Sequence, residues 1–304
     1  MLSEEVDRYV ELKRALGFKF RTQCFLLRNF ARFAEERGEQ FICTSSVLGW
    51  AGQAPSPQQR RNRLLTVRRF ALAAIAEDAR HQVPPAGTFG NLSFKRRRPH
   101  IYSSSELSAL LNGAAALSPA GSIRPAAYVT LFGLLAATGL RISEALAIQL
   151  DDLIQDGLVV RETKFQKSRL VPLHKTTWRA LDRYLEARSR VHTVSQSLFV
   201  SEGGKRLAYN TVADVFRTLA RETGLREKND QHGPRIHDLR HTFAIRSIER
   251  CAGDPQAIRR HMATLSTYLG HARVSDTYWY LQATPELLRQ IAGAGEELHA
   301  GGRS

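Results

Sequence analysis

Apolar stripes at helical spacing cover most of the chain, and one group of strand signals lies between residues 153 and 173; together they predict a mainly α fold with a small antiparallel β-sheet. A second observation divides the chain. Val83-Pro84-Pro85-Ala86-Gly87 and the basic run up to Pro99 read as a linker (83–100) between an N-terminal helical domain (1–82) and a larger α+β domain (101–304). The third is size: 304 residues, 43% hydrophobic and 24% charged, supply two cores and carry no disorder signature.

The elements follow in order. Val6, Tyr9, Val10 and Leu16 fall near one helix face, and Leu26, Phe30 and Phe33 repeat at i, i+4, i+7. A short helix fits Ser45–Ala51, and Ala54-Pro55-Ser56-Pro57 breaks the chain before a stripe of Leu64, Val67, Ala71, Ala74 and Ile75. Past the linker, Ser103-Ser104-Ser105-Glu106 leads into a helix through Leu107, Leu110 and Leu111. A long apolar helix from about Pro125 stops at Thr138-Gly139, where glycine can take the left-handed position after a helix end. A short helix over Ser143–Ile148 comes next. Leu153–Gln155, the turn Asp156-Gly157, Leu158–Lys164, a second turn at Phe165–Lys167 and Arg169–Leu173 then predict a three-stranded meander. Helices resume through Trp178, Leu181 and Leu185, then Val212, Val215, Phe216 and Leu219, and a last helical block starts at His237.

Charge narrows the partner. Lys and Arg number 44 against 29 acidic residues, a net +15 with a pI near 10.3, which points to a polyanion: nucleic acid first, an anionic membrane surface second. Residues 1–98 hold 18 Lys or Arg against 9 Asp or Glu, more than half of the excess. Arg60, Arg61 and Arg63, the pair Arg68-Arg69, and Lys95-Arg96-Arg97-Arg98 form three clusters within 40 residues. A solvated face explains any one of them; together they favour phosphate contact. The apolar stretch Leu131–Leu140 is too short to span a bilayer, which needs about 20 residues. Cys24, Cys43 and Cys251 lack metal-ligand spacing and make a disulfide scaffold unexpected, so a reducing, cytoplasmic setting fits. The N-terminus has neither a signal nor a transit pattern.

Four segments carry chemistry. Thr138-Gly139-Leu140-Arg141-Ile142-Ser143-Glu144 puts an arginine after a glycine-ended helix, and Thr163-Lys164-Phe165-Gln166-Lys167-Ser168-Arg169 puts a lysine at a hairpin tip. His237-Asp238-Leu239-Arg240-His241 holds His and Arg at i, i+3, on one helix face. Leu269-Gly270-His271 is followed nine residues later by Tyr280. In this order and spacing, behind a basic helical domain, the chain resembles the tyrosine recombinase (phage integrase) family. Residues 1–80 are similar to the family's core-binding domain and 100–300 to its catalytic domain. The resemblance implies Arg141, Lys164, His237, Arg240 and His271 as the assisting set and Tyr280 as nucleophile. The Tyr278-Trp279-Tyr280 run and the segment after it are most similar to transposon-encoded members.

Such residues suit phosphodiester exchange. Attack by a tyrosine oxygen builds negative charge on the non-bridging oxygens, and Arg141 and Arg240 can hold it with paired donors that stay protonated, with His271 adding another. Lys164 can protonate the leaving 5′ oxygen, and His237 can assist the phenol, whose unperturbed pKa is about 10. A 3′-phosphotyrosyl link would keep the energy of the broken bond for a second strand. No metal or cofactor is expected.

Plainer readings stand beside these. Lys167 and Arg169 share the loop with Lys164, so Lys164 and Lys167 both remain candidates for the general acid. Tyr278 competes with Tyr280, which has the expected separation from His271. His237 and His241 at i, i+4 resemble a zinc pair, but position 238 is Asp and no third ligand is evident. His241 reads as a packing residue, and Asp238 and Glu144 as partners that orient the arginines. The expected partner is double-stranded DNA at recombination sites. The resemblance implies a homotetramer on that DNA, joined through a C-terminal segment such as Pro285–Leu298. Two other functions fit less of the pattern: a type IB topoisomerase-like relaxing enzyme, and a non-catalytic DNA-binding accessory protein.

Overall fold

The computed structural model describes residues 1–90, 97–161, 168–227, 233–251, 254–270, 277 and 280. The chain forms two compact units, Met1–Arg96 and Arg97–Ser304. It is mainly helical with one small antiparallel sheet, the fold class its patterning predicts.

The described residues of the first unit form four helices: α1 (Leu2–Ala15), α2 (Arg21–Glu35), α3 (Thr44–Gly52) and α4 (Pro57–Ala74). Ser56 caps α4 by accepting from the Gln59 amide at 3.2 Å, with Pro57 at the first position where no donor is missed. Val6, Val10, Leu27, Phe30, Trp50, Leu64, Val67 and Phe70 meet in one core. Val83 and Phe89 pack against that core from the stretch read as linker. Leu16 does not join the face of Val6 and Val10: α1 ends at Ala15, the chain turns at Gly17, and Leu16 is 61% exposed. Buried His81 ties the unit together, accepting at Nδ1 from the Ile42 amide and lying 3.2 Å from Glu5 through Nε2.

The second unit is built around α6 (Ile123–Thr138), which Tyr128, Leu131, Phe132 and Leu135 bury against α5 (Ser104–Ala115) and α8 (Lys175–Ser189). The Ser103–Glu106 capping box opens α5, with side chain and amide exchanging bonds of 3.1 and 2.6 Å. A four-residue helix, α7 (Ile142–Ala145), leads to the sheet β1 (Leu153–Ile154), β2 (Gly157–Val160) and β3 (Arg169–Val171), in the order β1-β2-β3. Ile154 pairs Gly157, so the two-residue turn is Gln155-Asp156 rather than Asp156-Gly157. Gly157 opens β2 because a Cβ there would strike the Val171 carbonyl of β3. Leu158 and Val160 point inward and Val160 pairs Arg169, which sets the register of the next strand. The chain continues through α8, α9 (Tyr209–Glu222), α10 (Asp238–Glu249) and α11 (Pro255–Leu269). Asp254 caps α11, accepting from the Gln256 and Ala257 amides. Ala244, Ile245 and Ile248 of α10 and Met262, Leu265 and Leu269 of α11 form a second core that also buries Tyr280.

Candidate active site

Three helix ends converge in the second unit. Both α6 and α11 end in glycines with left-handed backbone, Gly139 at φ 62° and Gly270 at φ 65°, a conformation that disfavours any side chain. A helix end leaves carbonyls unpaired and carries a partial negative charge. Arg240, on α10, answers both ends: Nη1 donates to the Gly139 carbonyl and Nη2 to the Leu269 carbonyl, each at 2.7 Å. Its side chain is 2% exposed. Burial, followed by the charge of Arg141, lowers its pKa to about 10, so it stays protonated at neutral pH.

Arg141 precedes α7 and is more open, with 29% of its side chain exposed. Nη1 donates to Glu144 Oε1 at 2.7 Å, Nη2 to the Gly270 carbonyl at 3.3 Å, and its amide to Glu144 Oε2 at 3.1 Å. An arginine beside a helix N-terminus is electrostatically awkward; here Glu144 compensates. Glu144 also takes Arg169, from Nη2 at 2.8 Å and Nη1 at 3.4 Å. Burial pushes the Glu144 pKa up, and the hydrogen bonds and charges of Arg169 and Arg141 outweigh it, holding the carboxyl below its ordinary value. Two guanidiniums therefore share one carboxylate, and Arg240 also feels its charge, which leaves a surplus of positive charge suited to an anion.

His237 stands at the N-terminal end of α10, one turn before Arg240. Its surface meets solvent, while crowded neighbours strip part of its hydration; that desolvation, with Arg240 behind it, draws its pKa down to about 4. The imidazole is therefore neutral at pH 7. His241 lies edge-on to His237 at 4.7 Å between ring centroids and 5.4 Å from the ring of Tyr280. Burial and then His237 lower its pKa to about 3. Tyr280 is 2% exposed, and its phenol interacts electrostatically with Arg240. The described part of the predicted set, Arg141, His237, Arg240 and Tyr280, is thus gathered in one place. Lys164, Lys167, His271, Tyr278 and the tail Pro285–Leu298 lie outside the described residues, as do Lys95 and Arg96.

Two predicted partners divide. Glu144 accepts from Arg141, whereas buried Asp238 holds Arg235, through Nη2 at 2.9 Å and the Arg235 amide at 2.9 Å, rather than Arg141 or Arg240. Asp238 points back past the start of its own helix to Arg235, three residues earlier. Arg169 is the member that sequence reasoning passed over as a loop cation. Its signal was placement at the start of a strand, where register and not solvent decides direction.

The basic clusters are mixed in use. Arg60 Nε donates to the Ala54 carbonyl at 2.8 Å, Arg63 Nη1 to Trp50 at 3.0 Å, and Arg68 Nη1 to Pro84 at 2.6 Å. Arg61 is half-buried, with a buried Nε. Arg69 is exposed and borders a 570 Å³ cavity with Lys13 and Lys19. Arg97 and Arg98 are exposed, Arg97 also donating to the Gly233 carbonyl at 3.1 Å. Among the described residues no helix is long and apolar enough to cross a membrane, and no group of three or more His, Cys, Asp or Glu could hold a metal ion.

Known proteins share this architecture. Residues 103–286 match the Phage integrase family. The chain is 42% identical over 301 residues to the putative integrase/recombinase y4rB of Sinorhizobium fredii, covering 94% of each chain. It is 31% identical over 201 residues to the tyrosine recombinase XerD of Bifidobacterium longum, covering 62% of this chain and 60% of that one. Among solved structures, the Tn1549 transposon integrase in complex with transposon right end DNA superimposes with a TM-score of 0.66 at 16% identity, covering 98% and 99% of the two chains. Site-specific recombinase XerH bound to palindromic difH substrate gives a TM-score of 0.65 at 18% identity, covering 97% and 85%. Fold and site thus define a DNA strand-transferring enzyme of the tyrosine recombinase class. The chain belongs to the phage integrase family.

Proposed function

We propose that this protein cleaves and rejoins duplex DNA at recombination sites through a 3′-phosphotyrosyl link to Tyr280. The supporting observation is the meeting of buried, protonated Arg240 with Arg141 and Tyr280 in a cluster whose cations outnumber its carboxylates.

The Tyr280 oxygen attacks the phosphorus and the bond to the 5′ oxygen breaks. The phenolic proton passes to neutral His237, and Lys164 supplies a proton to the leaving 5′ oxygen. Arg141 and Arg240 stabilise the charge that develops on the non-bridging oxygens, with His271 as a further donor; one such donor is worth about 10²–10³ in rate. A 5′ hydroxyl from a second strand then attacks the phosphotyrosine, which releases Tyr280 and restores a phosphodiester. Its energy comes from the bond first broken, so the cycle balances without an outside energy source. Arg69, Arg97 and Arg98 grip the duplex backbone, and Arg60, Arg61, Arg63 and Arg68 add to the local positive potential while anchoring their own unit. The protein works as a homotetramer on DNA. Lambda integrase provides the fold precedent for that assembly, as a tetramer bound to a Holliday junction.

Nicked duplexes with a randomised core, which trap a cleaved strand, test the reading. Wild-type protein should yield denaturant-resistant adducts, and Tyr280→Phe should yield none while still binding duplex. Adducts that persist in Tyr280→Phe and vanish in Tyr278→Phe would overturn the assignment. Adducts accompanied by plasmid relaxation without exchange would indicate the topoisomerase-like activity instead.

A further inference from the structure

We propose that Arg169 is a positioning residue for strand transfer, holding from behind the two groups that aim the Arg141 guanidinium: the Glu144 carboxylate and the Gly270 turn. The inference rests on the reading above that Arg141 grips the scissile phosphate.

The geometry is a ladder. Arg169 meets Glu144 with both Nη atoms, at 2.8 and 3.4 Å, and the same carboxylate receives Arg141 at Nη1 and at its amide. On the other side Arg141 Nη2 donates to the Gly270 carbonyl, and Arg169 lies against that same glycine, where a Cβ would sit 2.9 Å from its Nη1. Both supports of Arg141 therefore touch Arg169. Its own backbone is fixed by pairing with Val160 across the sheet, so the ladder stands on a strand. Support of this kind is what a phosphate-binding side chain needs, because a misplacement of about 1 Å can cost on the order of 10²-fold in rate.

Stability alone does not account for the arrangement. Arg141 by itself could neutralise Glu144; a second, 13% exposed guanidinium adds like charge beside Arg141 and Arg240. Arg169 Nε is also buried and has no hydrogen-bond partner among the described residues, a cost that a fold optimised for stability avoids. What the second guanidinium supplies is orientation. Its planar fork fixes the carboxylate in one plane, which a lysine ammonium, a point charge, cannot do.

A double-mutant cycle tests this, with full-length protein and single-turnover cleavage of a nicked duplex recovered by wild-type adduct formation from the randomised pool. Arg169→Gln should slow cleavage about 10- to 100-fold and leave affinity for that duplex unchanged. Placed in Arg141→Ala, it should cost nothing further, because the group it positions is already gone. Losses that multiply would overturn the proposal, since general loosening or direct phosphate contact by Arg169 would act independently of Arg141. Arg169→Lys keeps charge and bulk, serves where the Gln variant fails to fold, and should show the same lack of additivity. A wild-type protein that forms no adduct with any duplex defeats the recombinase reading itself, which separates that failure from a failure of the positioning role.

Discussion

Arg240→Lys probes the joint on which the site is built. The guanidinium spans two helix ends, donating to Gly139 and Leu269 carbonyls 2.7 Å from separate nitrogens. A lysine keeps the charge, but one ammonium on a flexible stem cannot serve both carbonyls in the geometry of a planar fork. One charge-assisted hydrogen bond is lost and one buried carbonyl is left unpaired, at a combined cost of about 2–4 kcal/mol. For a unit of roughly 200 residues that lowers the melting transition by about 5–15 °C. Calorimetry reads the shift. Hydrogen exchange localises it, with faster exchange expected at the C-terminal ends of α6 and α11 and not at their starts. Cleavage of a nicked duplex should fall about 10²–10³-fold beyond what the altered stability explains, because a transition-state donor is displaced as well. An unchanged melting transition with unchanged exchange would refute the bridging role, and a wild-type cleavage rate would refute the phosphate role.

Two further outcomes follow from charge. Glu144 has a folded-state pKa below its unfolded value, so it contributes stability above about pH 4.5 that is lost as pH falls further. His237, lowered to about 4, binds fewer protons folded than unfolded, so stability also falls as pH drops from about 6.5 toward 4. Melting curves from pH 7 to pH 3 should decline through both windows, and Glu144→Gln should flatten the lower one; a flat wild-type profile would contradict both assignments. Duplex binding should weaken steeply with salt, with a log–log slope of about −0.9 for each phosphate neutralised. Arg69→Ala should make that slope shallower, and a salt-independent affinity would remove the backbone grip.

Local signals were legible in the sequence wherever neighbours along the chain decide the outcome. Ser56-Pro57 and Ser103–Glu106 open helices as their capping chemistry implies, Gly139 ends α6, and the apolar run from Leu158 yields a strand. The misreadings share a physical reason. Leu16 fits the helical period of Val6 and Val10, but the helix stops one residue earlier, and period cannot say where a helix stops. Gly157 looked like a turn residue, yet its lack of a side chain serves the approach of β3. Asp238, read as a partner of the site arginines, instead faces Arg235.

The residue types of the site, their order and their spacing were determined by the sequence alone, as was the excess of positive charge that points to an anionic partner. Which carbonyls hold Arg240, and that Glu144 is shared between Arg141 and Arg169, only the tertiary structure decided. Arg240 is 101 residues from Gly139, and Arg141 is 129 from Gly270. Nothing in local propensity links such positions. They meet because α6 and α10 pack by their apolar faces, α10 shares a second core with α11, and the helix ends brought together must find donors for their unpaired carbonyls.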